Sequence, residues 1–368
     1  MHPNQPAQLR DDLIDLGLGD LNITTDADII DMSMADAHRG YTHYTDLDGD
    51  PDLIRKILET TESRTGKRYK TENVLVTTSG THALFLTLCA LINSGEEVIL
   101  PEPCFPPVKQ MVEFVNGHVH FISCEEKNNF RPDLDALAEA MGPKTKCLIL
   151  NSPNNPTGVI YSREFLDAIM ETCRRKHIFI LSDEVYASFD FTGEFASQLE
   201  VDPELTQSLI VKSFSKSFAM TGWRLGYAIG PENIITVMKE INEGVISSPP
   251  TISQRAGLYA LRDKQYILDD LRDLVKRRLD FAYEEVQKTP NMSAKRSEGT
   301  IYLFISIKDT GLSSVQVQKI IEEQAHVFLY AGDRFGPSGE GYLRLAVSQP
   351  EELIHEAFCR IRQLSIFQ

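Results

Sequence analysis

Cysteine is scarce in this chain, and no cysteines are grouped. The six cysteines are scattered from Cys89 to Cys359, without a C-x-x-C pair and without a Cys/His cluster at zinc spacing. The pattern therefore predicts reduced thiols in the core or a cleft, and no metal site.

Long apolar runs are also missing. The first residues, MHPNQPAQLRDDL, have neither the basic start nor the apolar segment of a signal peptide, and no stretch approaches the length of a membrane span. We therefore expect a cytoplasmic protein without membrane partners.

Basic residues are fewer than acidic ones in this chain. The 37 basic residues against 53 acidic ones give a net charge of −16, which disfavours binding to phosphate backbones, so no nucleic-acid partner is predicted. At 368 residues the chain exceeds the usual size of one hydrophobic core, and two domains are expected.

Three short apolar runs indicate buried strands separated by helix-like segments: Cys147–Leu150, His177–Leu181 and Ser208–Lys212. This alternation favours a mainly parallel sheet. Each run is followed by a polar cluster, namely NSPNNPTG, SDEVY and SFSKSFAMTGWR. Because function in open α/β sheets lies at the carboxyl ends of strands, these clusters should face one crevice.

A phosphate site is predicted upstream of these strands. Val74–Thr78 is a further strand pattern, and Ser79-Gly80-Thr81 then begins an apolar helix that runs to about Asn93. The free N–H groups and positive dipole end of such a helix can bind a phosphate.

The C-terminal region predicts a smaller α+β domain. Amphipathic helices at Ala256–Arg262 and Tyr266–Lys288 precede strand patterns at Thr300–Ser306 and Gly341–Val347, and a final helix follows. The N-terminal residues are too few for a domain and should pack there too, near the Gly17–Asn22 loop. The predicted domains are residues 45–250 for the large one, and 1–44 with 251–368 for the small one.

Lys216 is the leading candidate for chemistry. A lysine after a strand is usually a solvated surface residue, but partial desolvation at this place would favour the neutral amine that a Schiff base requires. The residues near it in the sequence support a Schiff-base lysine over a solvated surface residue. Arg224 has a planar fork suited to a phosphate, and Asp183 could keep a pyridine nitrogen protonated, although a solvated loop acid is the simpler reading. Tyr186 and Asn155 could reach the same ring, although Asn155 before Pro also suits a turn.

Five motifs occur in order along nearly the whole chain: S-G-T-H-A-L, N-S-P-N-N-P-T-G, S-D-E-V-Y, S-F-S-K and T-G-W-R-L-G-Y. Together they resemble the class I and II aminotransferases of the fold-type I pyridoxal-phosphate superfamily. The resemblance implies an α/β fold, with a large domain built on a mainly parallel seven-stranded sheet between helices and a smaller α+β domain. It also implies pyridoxal 5'-phosphate as cofactor, an amino acid and a 2-oxo acid as substrates, and a homodimer with shared active sites.

The resemblance also implies residue roles. Lys216, Asp183 and Tyr186 would be catalytic: Lys216 bonds to the cofactor and shuttles a proton, Asp183 pairs with the ring nitrogen, and Tyr186 and Asn155 bind the ring oxygen. The other implied cofactor contacts are the phosphate ligands Gly80, Thr81, Ser213 and Arg224, the stacking residue Phe105, and Tyr44, lent across the dimer interface. The implied substrate contacts are Arg344 for the α-carboxylate, Asn155 and Gly19. From spacing alone, Phe105 could equally be a core residue and Arg344 a solvated strand residue.

The chain departs from the family pattern at two positions. Leu21 stands where the substrate-side loop usually has a proline, so the path of that loop and the role of Gly19 are in question. Thr81 stands where one dicarboxylate-preferring bacterial subgroup often has a lysine, which disfavours an acidic side-chain preference by that route. The N-terminal arm is also short.

Transamination by a ping-pong mechanism is the leading hypothesis. A carbon–sulfur β-lyase, or a related elimination or decarboxylation enzyme, would use the same residues; TGWRLGY favours transfer without excluding them. A non-catalytic effector domain of a transcription regulator is disfavoured, because such proteins carry an additional basic DNA-binding domain and this acidic chain has no room for one. A nicotinamide-dependent dehydrogenase is disfavoured because Gly17-Leu-Gly19 lacks the third glycine and the following helix.

Overall fold

The computed structural model describes residues 12–368. Its strands are β1 (Ile14–Asp15), β2 (Val74–Thr77), β3 (Glu97–Glu102), β4 (His118–Ser123), β5 (Thr145–Asn151), β6 (Phe179–Asp183), β7 (Ser208–Ser213), β8 (Gly226–Ile229), β9 (Ser293–Ala294), β10 (Tyr302–Ser306), β11 (Val327–Phe328), β12 (Tyr330–Ala331) and β13 (Tyr342–Ala346). Its α-helices are α1 (Ala27–His38), α2 (Pro51–Thr65), α3 (Gly80–Leu91), α4 (Pro107–Phe114), α5 (Leu134–Ala140), α6 (Arg163–Lys176), α7 (Gln198–Val201), α8 (Phe214–Ser217), α9 (Glu232–Val245), α10 (Thr251–Asp263), α11 (Tyr266–Gln287), α12 (Ser314–Ile320) and α13 (Glu351–Ile361).

The larger sheet has seven strands in the order β2-β8-β7-β6-β5-β3-β4. Strand β8 is antiparallel to both of its neighbours, and the other pairs are parallel. Alternate residues of β5 enter different cores: Cys147 and Ile149 pack with helices α3, α4 and α9, whereas Leu148 and Leu150 pack with α5 and α6. Burial on both faces explains the continuous apolar runs, and the predicted mainly parallel sheet between helices is confirmed.

The start of strand β6 was predicted too early. His177 ends helix α6 in the left-handed conformation, with φ 57°, and strand β6 begins only at Phe179. The apolar run continues across this junction because Ile178 is also buried, so its composition does not reveal the turn.

The smaller sheet is antiparallel, in the order β12-β13-β10-β9. Helices α11 and α13 cover it through Val275, Leu279 and Phe358, and this core also takes in Leu16 and Leu21 from the N-terminal segment. A smaller α+β unit is therefore present, and β1 pairs with β11 beside it. None of the described helices is both long and apolar enough to cross a membrane.

Helices α1 and α10 pack with the larger sheet. Ile29 of α1 and Leu258 of α10 share a core with α2 and with Val76, Ile210 and Ile229 of strands β2, β7 and β8. The division at residues 45 and 250 stays a prediction; if units are defined by shared cores, these two helices go with the larger one.

Candidate active site

A cavity of about 410 Å³ lies at the carboxyl ends of β5, β6 and β7, and the loop before α1 borders it. Among the residues that line it are most of those singled out in the sequence: Gly19, Gly80, Thr81, Phe105, Asn155, Asp183, Tyr186, Ser213, Lys216, Arg224 and Arg344. The polar clusters that follow the strands thus meet in one place, as the topology of a parallel sheet requires.

Lys216 lies in the short helix α8, directly after strand β7. Ser213 caps this helix by accepting a hydrogen bond of 3.1 Å from the backbone N–H of Ser215. The half-buried Lys216 directs its Nζ into the cavity and donates it to the backbone oxygen of Gly19. A single amine is therefore presented where the strands end.

Asp183 is the last residue of β6, and only 4% of it is exposed. Burial raises the pKa of this carboxyl to about 7, although the Val185 N–H, which donates to it at 3.2 Å, acts in the opposite direction. The charge of Lys212 also lowers this pKa, but Lys212 pairs with Glu184 at 2.6 Å, and no ion pair to Asp183 forms among residues 12–368. A buried acid of this kind can pair with a protonated nitrogen of a bound ring.

The amino end of α3 forms another wall. Ser79 caps the helix by accepting from the His82 N–H at 3.0 Å, which leaves the first backbone N–H groups of the helix free of helical partners. Gly226 permits a close approach here, because a Cβ at this position would lie 2.5 Å from the Gly80 nitrogen. Ser213 and the exposed Arg224 also line this side. Together these groups suit a phosphate dianion.

Arg344 of β13 is a buried guanidinium, with 5% of the residue exposed. Its Nη2 donates to the Gly17 oxygen at 2.7 Å and its Nη1 to Asn155 Oδ1 at 3.0 Å, whereas its buried Nε has no hydrogen-bond partner within the described part of the chain. Three aromatic rings surround it, with centroids 4.1, 5.0 and 4.8 Å from its Cζ: Tyr302, Tyr330 and Phe335. An arginine held in this way suits a carboxylate ligand.

Tyr302 belongs to the site but was not predicted. Its hydroxyl lies 2.9 Å from that of Tyr186. It also explains Gly19, because a Cβ at that position would overlap the Tyr302 hydroxyl. The pairing of β10 with β13 brings Tyr302 near Arg344, so its place depends on a strand register that the sequence does not reveal.

The loop with the unusual leucine is anchored by Leu21 and by the residue before it. Leu21 is buried in the core of the smaller sheet, and the preceding Asp20 accepts a hydrogen bond of 2.8 Å from Thr221. The loop thus keeps Gly19 at the cavity without the proline.

Tyr44 is the one predicted contact that the chain does not bring to the cavity. It lies between α1 and α2, and 85% of it is exposed. A role across an interface stays a prediction.

Comparison with known proteins gives consistent results. The chain is 31% identical to an aspartate aminotransferase of Pyrococcus horikoshii, over 97% of this chain and 92% of that one. It is 30% identical to an arginine–pyruvate transaminase of Pseudomonas aeruginosa, over 95% and 89%. The crystal structure of the Thermus thermophilus aspartate aminotransferase with maleate superposes with a TM-score of 0.91 at 30% identity, covering 95% of this chain and 91% of that one.

The fold and these relatives define the protein as an aminotransferase, an enzyme that transfers amino groups. More narrowly, the chain belongs to the family "Aminotransferase class I and II", whose model matches residues 11–361. The resemblance found in the five motifs is thereby confirmed.

Proposed function

We propose that the chain is a pyridoxal-5'-phosphate-dependent aminotransferase that takes the amino group of an amino acid and passes it to a 2-oxo acid in two half-reactions, a ping-pong mechanism. One observation carries the proposal: the amine of Lys216, the unpaired buried acid Asp183 and the buried guanidinium of Arg344 share one cavity. When bound, pyridoxal phosphate supplies an aldehyde that combines with amines and a ring that accepts electrons from the substrate.

The residues present fit this cofactor. The free N–H groups of α3, with Thr81, Ser213 and Arg224, would hold its phosphate. Asp183, whose side chain accepts one N–H from residues 12–368, would hold the proton of the ring nitrogen in place. The side chain of Phe105 lines the same cavity and would cover one face of the ring.

Each remaining residue has a separate task on the substrate side. Arg344 would bind the α-carboxylate of the amino acid, and its hydrogen bond to Asn155 would hold both side chains in place. Lys216 Nζ would bond to the cofactor and, after the amino acid displaces it, take the proton from the substrate α-carbon. Tyr186 and Asn155 would donate hydrogen bonds to the ring oxygen, with Gly19 as a further substrate contact.

We also propose a homodimer in which Tyr44 reaches the phosphate of the neighbouring subunit. Its 85% exposure in the single chain supports this role, because a tyrosine that serves a neighbour must not be buried in its own subunit. A cytoplasmic location remains a prediction.

The test is a comparison of Lys216→Ala with Lys276→Ala, each supplied with pyridoxal phosphate, a panel of amino acids and either 2-oxoglutarate or pyruvate. Lys276 is a surface residue paired with Asp280 on α11 and serves as the control. We expect the wild-type and Lys276→Ala proteins to form a new amino acid, and Lys216→Ala to lose about 10⁴-fold or more in rate. Release of ammonia and pyruvate from the donor without a new amino acid would instead identify a β-lyase.

A further inference from the structure

Tyr302 lies between two parts of the cavity, the tyrosine proposed to bind the cofactor ring oxygen and the arginine proposed to bind the substrate carboxylate. Its hydroxyl lies 2.9 Å from the hydroxyl of Tyr186, and its ring lies 4.1 Å from the Arg344 Cζ. Only 3% of Tyr302 and 5% of Tyr186 is exposed, so water does not compete for this contact. The ring-oxygen donor and the carboxylate-binding arginine therefore share one neighbour.

The direction of the hydrogen bond follows from proton counting. A phenol has one hydrogen to donate and lone pairs with which to accept. If Tyr186 gives its hydrogen to the ring oxygen of the cofactor, only its lone pairs remain for Tyr302. Tyr302 must then be the donor in the contact between the two hydroxyls.

We propose that Tyr302 is a positioning residue: it donates its hydroxyl proton to Tyr186, strengthens the hydrogen bond from Tyr186 to the cofactor ring oxygen, and supports Arg344 with its ring. The inference rests on the proposed function, because it requires the cofactor beside Tyr186. None of the five sequence motifs contains Tyr302.

The surroundings favour this direction of donation. Burial and the contact with Tyr302 raise the pKa of Tyr186. Burial acts the same way on Tyr302, but the positive charges of Arg344 and Lys216, together with the contact with Tyr186, outweigh it and lower the pKa of Tyr302. The more acidic phenol is the better donor, so Tyr302 to Tyr186 is the favoured direction.

The effect can be read from the colour of the bound cofactor. The negative charge on the ring oxygen attracts the proton on the nitrogen that links lysine to cofactor, and hydrogen bonds to that oxygen weaken the attraction. Removing the Tyr302 hydroxyl weakens the Tyr186 bond, so the linking nitrogen should keep its proton to higher pH. The visible absorbance of the loaded enzyme should then titrate with a higher midpoint.

The experiment compares the titration midpoints of the loaded wild type and of Tyr302→Phe, Tyr186→Phe, the double variant and Tyr330→Phe. Tyr330 is the matched control, because its ring also faces Arg344 but its hydroxyl does not contact Tyr186. We expect Tyr302→Phe to raise the midpoint by about half to one pH unit, from the size of one hydrogen bond. Tyr186→Phe should raise it further, and the double variant should match Tyr186→Phe alone, since Tyr302 acts through that hydroxyl.

The Michaelis constants give a second readout. Tyr302→Phe keeps the ring against Arg344 and should leave the KM for the amino acid unchanged, whereas Tyr302→Leu should raise it about threefold or more by removing the ring. An unshifted midpoint in Tyr302→Phe, or a full additional shift in the double variant, would overturn the inference. A wild-type protein that gains no visible absorbance with pyridoxal phosphate would instead refute the proposed function.

Discussion

Two arginines are buried to a similar extent, but one lies among carboxylates and the other among neutral groups. Arg255 on α10, 6% exposed, forms ion pairs with Asp36 at 2.6 Å, Asp52 at 3.1 Å and Asp50 at 3.4 Å. Arg344, 5% exposed, meets only neutral oxygens and aromatic rings within residues 12–368. We call Arg255, Asp36, Asp50, Asp52 and Tyr259 the Arg255 cluster.

The buried acids differ in the same way. Burial raises the pKa of Asp36, but hydrogen bonds from Tyr259 and Arg255 outweigh it and lower that pKa overall. The side chain of Asp183 accepts one hydrogen bond, from the Val185 N–H, among the described residues, and burial raises its pKa to about 7. The Arg255 cluster balances its charges within the protein, whereas the cavity keeps the carboxyl of Asp183 and the guanidinium of Arg344 apart, and neither forms an ion pair within residues 12–368. Such charges are costly to bury unless a ligand completes them, which is why they indicate a binding site.

The largest effect is expected from Arg255→Gln. The change leaves Asp50 buried without its cation and Asp36 paired only with the exposed Arg39, so the free energy of unfolding in urea should fall by about 3–5 kcal/mol. The control is Arg277→Gln, which breaks an exposed pair with Glu351 and should cost less than about 0.5 kcal/mol. Equal losses in both variants would remove the distinction between a balanced cluster and a surface pair.

Asp183 should make the cofactor-free enzyme less stable as pH rises. Its folded pKa of about 7 lies above the ordinary value of 3.8, so the folded protein holds a proton that the unfolded chain releases. The free energy of unfolding should therefore fall between about pH 4 and pH 7, by on the order of 3 kcal/mol from this group. Unfolding curves of the wild type and Asp183→Asn across this range, measured without cofactor, check the difference. Parallel curves would show that Asp183 is not a buried, unpaired acid.

Arg344→Gln should separate activity from stability. Loss of the charged hydrogen bonds to the substrate carboxylate should lower kcat/KM by roughly 10²-fold. The free energy of unfolding should stay the same or rise slightly, because an unpaired buried charge is removed. A loss of stability like that of Arg255→Gln would mean that Arg344 is structural, and the contrast between the two arginines would fail.

Local patterns in the sequence sufficed for the strands that carry the site. Cys147–Leu150 and Ser208–Lys212 are buried on both faces, and the polar residues after them are adjacent in the chain, so both features can be read without knowing the fold. Strands β3 and β8 gave no such signal: β3 contains Pro101, and β8 is a short antiparallel insertion that begins with Gly226. Seven strands could be expected only from the family resemblance.

What the sequence missed depends on long-range packing. Tyr302 reaches the cavity through the register between β10 and β13, and the contacts of α10 with the larger sheet join residues that are far apart in the chain. Neither depends on a local pattern. The contact of Tyr186 with Tyr302 joins side chains 116 positions apart, a pairing that no motif of neighbouring residues reveals.

The most direct test of the account is chemical trapping of the cofactor. The wild-type enzyme is incubated with pyridoxal phosphate, reduced with borohydride, digested and analysed by mass spectrometry. The protein should be yellow before reduction, and a single modified peptide should carry the added mass on Lys216. A protein that is colourless before reduction, or a modification spread over surface lysines with Lys216 unmodified, would contradict the assignment of Lys216.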